Sequence, residues 1–268
     1  MAPDTTEAEA ESVLTSITVR SSGGAELAGT MVRGARSDNR RGVNSVLVLH
    51  GFPNADVEAK TVGIDMPELC QRINTELGWN AMTIRFRGCG RSTGDFSLAR
   101  WVDDATAACR QLRAETQPDN LWVVGFGTGG SVGLVAAVEL PDVSGVAVLG
   151  SPADFDDWAA NPERLLSYSR EIGVITSPDF PTNRQRWEAE LREVRAVEAA
   201  ERFPPRPLLV LHGYEDEAVP HFDARMLADA HGDADLRFIR GASHHLRHDP
   251  RAISILLGWL DRQSLSER

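Results

Sequence analysis

The sequence predicts an α/β fold: a mostly parallel wound sheet with an antiparallel N-terminal hairpin and a small helical lid. The first observation is a set of continuous apolar runs of strand length, at residues 45–49, 81–86, 121–124, 143–149, 207–211 and 236–239. Such runs are typical of central strands buried on both faces of a parallel sheet. The second observation is that stretches of helical length lie between them, at residues 66–77, 100–116, 131–140, 221–230 and 251–260. Strands that alternate with helices indicate a sheet wound by crossover helices.

Two segments depart from this alternation. Residues 15–20 and 25–33 are short, partly alternating runs separated by Ser-Ser-Gly-Gly, which predicts a β-hairpin. Residues 152–205 are rich in Trp, Arg and Glu and predict two or three helices, including one over 183–202. We interpret them as a lid inserted after the sixth strand. We therefore expect one domain over residues 13–268, preceded by a disordered tail at residues 1–12.

Composition narrows the classes of partner. The net charge of −11 and the pI near 5.1 disfavour nucleic acid and anionic membranes, because both bind basic surfaces. The three cysteines are an odd number and lack Cys-x-x-Cys spacing, so we expect neither a disulfide framework nor a zinc site. We also expect no other metal and no cofactor. The N-terminal residues lack a basic start and an apolar run, and no segment approaches the ~18 apolar residues of a membrane span. We expect a cytoplasmic protein, and the sequence carries no signal for its oligomeric state.

The most informative motif is the run Leu-Trp-Val-Val-Gly-Phe-Gly-Thr-Gly-Gly-Ser at residues 121–131. It resembles the nucleophile elbow of the α/β-hydrolase superfamily, in particular the small bacterial esterase and peptidase-like serine hydrolases. That elbow is a strand, a sharp Gly-x-Ser-x-Gly turn and a helix, which together expose the serine hydroxyl. Gly125 and Gly129 match the pattern, but Gly127 takes the place of the serine.

Three further segments extend the resemblance. His-Gly-Phe-Pro at residues 50–53 follows the third strand, and the family pattern implies that the N–H groups of Phe52 and Thr128 form the oxyanion hole. The loop after the seventh strand implies Asp216 as the acid, and the loop after the last strand implies His244 as the general base. The chain order of elbow, acid and histidine matches this fold.

Neighbouring residues leave alternatives open for these roles. Glu215 competes with Asp216 for the role of acid, and His245 is the runner-up to His244 for the role of base. His50 favours a structural role, in which its hydrogen bonds brace the oxyanion loop. Two lid residues, Trp158 and Trp187, are candidates for an apolar pocket, although packing of a lid against a core is the commoner use of tryptophan.

Gly127 determines the functional hypotheses. Without a hydroxyl there is no acyl-enzyme, and deletion of such a nucleophile costs on the order of 10⁶ in turnover while roughly 10³ to 10⁴ over water remains. Our leading hypothesis is a catalytically impaired protein that binds a small, fairly apolar ligand beneath the lid. The competing hypothesis is an active hydrolase of esters, amides or lactones that uses His-activated water or a displaced nucleophile. The candidates for a displaced nucleophile are Thr128, Ser131, Cys89 and Ser92.

A third hypothesis comes from the same glycines. Residues 125–130 also fit Gly-x-Gly-x-x-Gly, the dinucleotide-binding fingerprint. That fingerprint belongs on a first strand, with an acidic residue about 20 positions later at the tip of the next strand. Here the motif follows several strands and Asp154 comes too late, so nucleotide binding is the least favoured of the three hypotheses.

Overall fold

The structure is a computed structural model that describes residues 13–34, 42–54 and 58–263. The predicted tail at residues 1–12 lies outside the described residues. Within them, eight strands form one sheet in the order β1-β2-β4-β3-β5-β6-β7-β8. The strands are β1 Leu14–Arg20, β2 Glu26–Val32, β3 Asn44–Leu49, β4 Asn80–Ile84, β5 Asn120–Phe126, β6 Val143–Leu149, β7 Leu208–Gly213 and β8 Asp235–Ile239.

The sheet has the predicted mixture of directions. β1 pairs antiparallel with β2, and β2 pairs antiparallel with β4. All the other neighbouring pairs, from β4–β3 to β7–β8, are parallel. β5 lies between β3 and β6, so the turn that follows it is in the middle of the carboxyl edge of the sheet. Ligand sites in wound sheets form at this edge.

Helices cover both faces of the sheet. The bounds are α1 Met66–Leu77, α2 Leu98–Thr116, α3 Thr128–Val138, α4 Asp156–Ala160, α5 Pro162–Glu171, α6 Arg184–Glu193, α7 Ala196–Arg202, α8 His221–His231 and α9 Pro250–Gln263. α1 and α9 pack on one apolar core, while α2, α3 and α8 pack on the other. No helix in the described segments is both long and apolar enough to cross a membrane.

Several helix boundaries differ from the predictions, and two of the differences bear on the site and the lid. α3 begins at Thr128, directly after Gly127, instead of at residue 131. The single helix expected over 183–202 is two helices, α6 and α7, because the backbone is extended at Val194 and Arg195. The Arg195 guanidinium at the break forms ion pairs with Asp154 and Asp156, which are distant in sequence, and with Glu198 one turn into α7.

The lid helices α4 to α7 are attached firmly to the body. In α6, buried Glu190 accepts hydrogen bonds from the Ser97 hydroxyl (2.6 Å) and from the Ala99 N–H (3.0 Å) at the start of α2. Asp95 accepts bonds from the N–H groups of Thr176 and Ser177 at 2.6 and 3.1 Å. These contacts tie the lid to the segment that precedes α2.

Candidate active site

The turn between β5 and α3 has the geometry of a nucleophile elbow. Gly127 has φ 51° and ψ −130°, a conformation that side-chain-bearing residues adopt only under strain. Its N–H donates to the carbonyl of Leu149 at 2.9 Å, which anchors the turn to the end of β6. The chain therefore makes a sharp change from strand to helix at Gly127.

The flanking glycines allow close backbone packing. A β-carbon on Gly129 would overlap the carbonyl oxygen of His50, and one on Gly125 would overlap the backbone of Gly130. At Gly127 the space is different, because a β-carbon built there would meet its nearest atom, Nε2 of His244, at 3.5 Å. Gly125 and Gly129 are thus required by contact distances, whereas Gly127 has room for a side chain.

His244 and Asp216 form a hydrogen-bonded pair beside this position. Nδ1 of His244 lies 2.9 Å from Oδ2 of Asp216, so the carboxylate assigns the ring proton to Nδ1 and leaves Nε2 as an acceptor. The Asp216 side chain is fully buried, and its Oδ1 accepts bonds from the N–H groups of Ala218 and Val219 at 2.9 Å each. The His244 side chain is 29% exposed. The pair can therefore take a proton from a group at residue 127.

The carboxyl group of Asp216 is held ionised. Burial alone raises its pKa, but hydrogen bonds from His212, His244 and the Val219 N–H outweigh burial and lower the pKa well below the usual range. His212 was not among the site residues expected from the sequence; its Nε2 lies 3.0 Å from the Val219 carbonyl and 3.3 Å from Oδ2 of Asp216. The sequence shows a histidine at the end of β7, but the orientation of its ring depends on the loop that folds back over it.

The alternative acid and base lie elsewhere. Glu215 is exposed and accepts a hydrogen bond from the Gly241 N–H at 2.5 Å, so it binds the start of the histidine loop. His245 is exposed, with its ring centroid 6.1 Å from that of His244. The geometry brings together Asp216 and His244.

The loop after β3 reaches the same place. The Cα of Gly51 is 3.7 Å from the β-carbon position on Gly127. Among the described residues, neither the Phe52 N–H nor the Thr128 N–H has an acceptor, so both donors are available to a ligand. Two N–H groups that flank the elbow are the arrangement expected of an oxyanion hole.

His50 braces this loop from below. Its Nδ1 donates to the Gly51 carbonyl at 2.7 Å, and its Nε2 accepts from the Phe86 N–H at 3.1 Å. Burial lowers the pKa of His50 to about 3, so the ring is neutral and can accept at Nε2. This placement matches the structural role expected from the sequence.

The candidate displaced nucleophiles have other contacts. The Ser92 hydroxyl donates to the Arg85 carbonyl at 2.7 Å, and the Ser131 hydroxyl donates to the Pro152 carbonyl at 2.6 Å. Cys89 is fully buried, and burial raises the pKa of its thiol. Thr128 is buried at the start of α3. Within the described residues none of the four is hydrogen-bonded to His244, whose ring bonds to Asp216.

The two lid tryptophans have different positions. Trp158 is half-buried, and its ring centroid is 5.0 Å from that of Phe52, so it covers the oxyanion loop. Trp187 is buried and donates from Nε1 to the Phe96 carbonyl at 3.3 Å, which fastens the lid to the body. Three surface cavities of about 810, 490 and 350 Å³ are not lined by Gly127, Phe52 or His244. The rings of Phe52 and Trp158 also contact Phe96 and Phe155, respectively.

Family comparison agrees with this geometry. Residues 46–254 match the model of the alpha/beta hydrolase family. The chain belongs to the alpha/beta hydrolase family. This alpha/beta hydrolase is also 27% identical over 173 residues to the alpha/beta hydrolase domain-containing protein WAV2 of Arabidopsis thaliana, a match that covers 60% of this chain and 51% of the relative. The chain thus spans about half the length of that curated relative.

Solved structures share the fold. Est1E from Butyrivibrio proteoclasticus with bound ferulic acid superposes with a TM-score of 0.70 at 18% identity, covering 94% of this chain and 98% of that one. An esterase from Pyrococcus furiosus superposes with a TM-score of 0.65 at 15% identity, covering 94% and 93%. At these identities the likeness establishes the fold of this alpha/beta hydrolase and does not extend to its reaction.

The dinucleotide fingerprint has a different explanation in this fold. The glycines of residues 125–130 allow the elbow to pack against the loop after β3 and against Ser151. Asp154, the nearest acidic residue after β6, pairs with Arg195 at 3.3 Å and accepts from the Asp156 N–H at 3.0 Å. No part of this arrangement favours nucleotide binding.

Proposed function

We propose that this alpha/beta hydrolase is a catalytically impaired relative of serine esterases that binds a small, fairly apolar ligand at the Asp216–His244 site. The observation that carries the proposal is the 3.5 Å between Nε2 of His244 and the β-carbon position on Gly127. A serine at residue 127 would bring its hydroxyl within hydrogen-bond reach of that nitrogen, the requirement for an activated nucleophile. Glycine supplies the required backbone and no attacking atom.

The rest of the site supports binding of a carbonyl-bearing ligand. The N–H groups of Phe52 and Thr128 are available as donors to a carbonyl or carboxylate oxygen. The rings of Phe52 and Trp158, 5.0 Å apart, offer an apolar surface beside those donors. The ferulic acid bound to Est1E carries both features, a carboxyl group and an aromatic ring. We extend the proposal to a bacterial, cytoplasmic protein, in keeping with three buried, unbridged cysteines.

Direct hydrolysis by water is the second candidate function. Nε2 of His244 faces the open space at Gly127 and is an acceptor, because Asp216 holds the proton on Nδ1. A water in that space could donate to Nε2 and attack a carbonyl held by the oxyanion loop. Such a mechanism keeps the base and the oxyanion hole but forms no covalent intermediate.

The test compares wild type, Gly127→Ser, His244→Ala and the double variant on a panel of short and medium-chain esters. The same proteins are treated with a fluorophosphonate, which labels an activated serine covalently and needs no knowledge of the substrate. Impairment predicts no turnover and no labelling by wild type, with both present in Gly127→Ser and abolished in the double variant.

Two other results would replace this proposal. Turnover by wild type that is lost in His244→Ala, without labelling, would establish the water mechanism. Labelling of wild type would establish a displaced nucleophile. Ligand binding is tested separately by calorimetric titration of wild type with ferulic acid, using Phe52→Ala as the variant expected to bind less tightly.

A further inference from the structure

A cavity of about 490 Å³ lies over the N-terminal part of the sheet. Its floor includes Ser16 on β1, Thr30 on β2 and Thr83 on β4, which are direct partners across the strands. Partners in adjacent strands point to the same face of a sheet, so the three hydroxyl side chains form one row. The next partner in that row is Val48 on β3, which belongs to the apolar core beneath α1. Along this row the side chains change from apolar on β3 to hydroxyl-bearing on β4, where the cavity begins.

Two of these hydroxyl groups are unsatisfied. Oγ1 of Thr30 and Oγ1 of Thr83 are buried and have no hydrogen-bond partner among the described residues, although the two residues are direct partners on adjacent strands. The whole of Thr83 is only 3% exposed. A buried hydroxyl without a partner costs about 1–3 kcal/mol. Both residues line the cavity, but their hydroxyl oxygens have almost no exposed surface, so a ligand there would bond to them only after each side chain rotates about χ1.

Three cationic side chains line the same cavity: Lys60, Arg85 and Arg91. Within the described residues none of the three forms an ion pair. Arg85 is partly buried, and its guanidinium donates a long hydrogen bond of 3.4 Å to the Thr61 carbonyl. Burial lowers the pKa of its guanidinium, and charge interactions with Cys89 and Asp65 oppose that shift only in part.

The surrounding charge makes this cluster unusual. The chain has a net charge of −11, and most of its buried or half-buried guanidiniums have carboxylate partners, as Arg87 has in Asp104. Among the residues that line the cavity, Glu26 is the acidic one; its side chain is 56% exposed and lies 3.8 Å from Arg20. The cavity therefore combines unpaired positive charge with unpaired hydroxyl donors.

We propose that this cavity binds a phosphate group, at a site distinct from Gly127 and His244. A tetrahedral dianion has enough acceptor oxygens for the Arg85 fork and for the hydroxyls of Thr30 and Thr83, and its charge offsets several cations at once. A carboxylate would satisfy one guanidinium and leave the remaining donors unused. The cavity is larger than one phosphate ion, and the further hydroxyls of Ser16, Thr18 and Thr93 fit a hydroxyl-bearing phosphate monoester.

Calorimetric titration at constant ionic strength tests the site, with inorganic phosphate, glycerol phosphate and acetate as probes. The variants are Arg85→Gln, Thr83→Val and the control Arg113→Gln, which removes the same charge from a surface ion pair with Asp142. We expect saturable phosphate binding that weakens by roughly tenfold or more in Arg85→Gln and Thr83→Val and is unchanged in Arg113→Gln. Thr83→Val should also raise the melting temperature without phosphate, because it removes a buried unsatisfied hydroxyl.

The outcomes separate the sources of the phosphate group. Tighter binding of glycerol phosphate than of inorganic phosphate would assign the site to an organic monoester, and equal binding would assign it to the inorganic ion. The proposal is overturned if phosphate does not bind saturably, if acetate binds equally well, or if Arg113→Gln weakens binding as much as Arg85→Gln.

Discussion

The Nε2 atom of His244 lies 3.5 Å from the point where a β-carbon on Gly127 would stand. Asp216 holds the same imidazole from the other side, through Nδ1 at 2.9 Å. A base that is oriented toward an empty position is unusual, because an oriented histidine normally faces the group whose proton it takes. The relationship makes residue 127 the best place to test the chemistry and the stability of this protein.

Side chains at residue 127 should destabilise the fold. Gly127→Ala and Gly127→Ser place a β-carbon on a backbone with φ 51°, and we expect the free energy of unfolding to fall by about 1–3 kcal/mol. Gly258→Ala is the control, because Gly258 lies inside α9 and its β-carbon would meet nothing closer than 4.0 Å. That change should raise stability by about 0.5–1 kcal/mol. Urea unfolding measures all three, and a neutral Gly127→Ala would refute the assignment of strain.

The identity of the base can be settled in the Gly127→Ser background. Adding His244→Gln should slow fluorophosphonate labelling by roughly 10²- to 10⁴-fold, because the serine loses its proton acceptor. Adding His245→Gln should change the rate by no more than about twofold, since that ring is exposed and does not contact Asp216. Labelling rates are read from time courses, and a larger effect of His245→Gln would exchange the two assignments.

Acid should destabilise the protein partly through His50. Its pKa is about 3 in the folded chain, below the ordinary value of 6.5, because the ring is buried. As pH falls below about 6.5 the unfolded chain binds a proton that the folded chain cannot bind, so stability declines by roughly 1.4 kcal/mol per pH unit until about pH 3. Urea unfolding across this range should show a shallower decline for His50→Gln, whatever its stability at neutral pH. The exposed His245→Gln serves as the control and should keep the wild-type slope.

The attachment of the lid depends on the charge of Glu190. Its carboxylate accepts bonds from Ser97 and Ala99 at the positive end of α2, so Glu190→Gln should cost about 1–2 kcal/mol. Glu188→Gln removes a carboxylate from the same helix, but that group forms a solvent-accessible pair with Arg184 and should matter by less than about 0.5 kcal/mol. Urea unfolding measures the loss of stability in each variant. Equal losses would show that the buried carboxylate of Glu190 stabilises the fold no more than an exposed one.

The alternation of continuous apolar strands with helices was sufficient to predict the sheet. Asp216 and His244 were expected from the resemblance to the α/β-hydrolase superfamily, and both lie in loops that follow strands, at the carboxyl edge of the sheet. The break between α6 and α7 was not predictable, because Val194 and Arg195 carry no glycine or proline signal and the break depends on ion pairs with distant residues.

Side-chain direction explains what else escaped prediction. His212 supports Asp216 only because the loop to Val219 folds back over the end of β7. The contact between Phe52 and Trp158 joins segments far apart in sequence, and burial of Glu190 requires α6 to dock on α2. Contacts of this kind depend on how whole helices and loops pack together. The hydrophobic periodicity of a single segment does not predict them.

Gly127 is surrounded by the other groups of a hydrolase site, and this has a genetic consequence. Glycine codons that end in U or C become serine codons through a single change of the first base. Because the histidine, its carboxylate and the oxyanion loop already stand in place, that one change would return a hydroxyl to a finished site. Where the Gly127 codon ends in U or C, a gene for this protein lies one base change from a gene that encodes serine at that position.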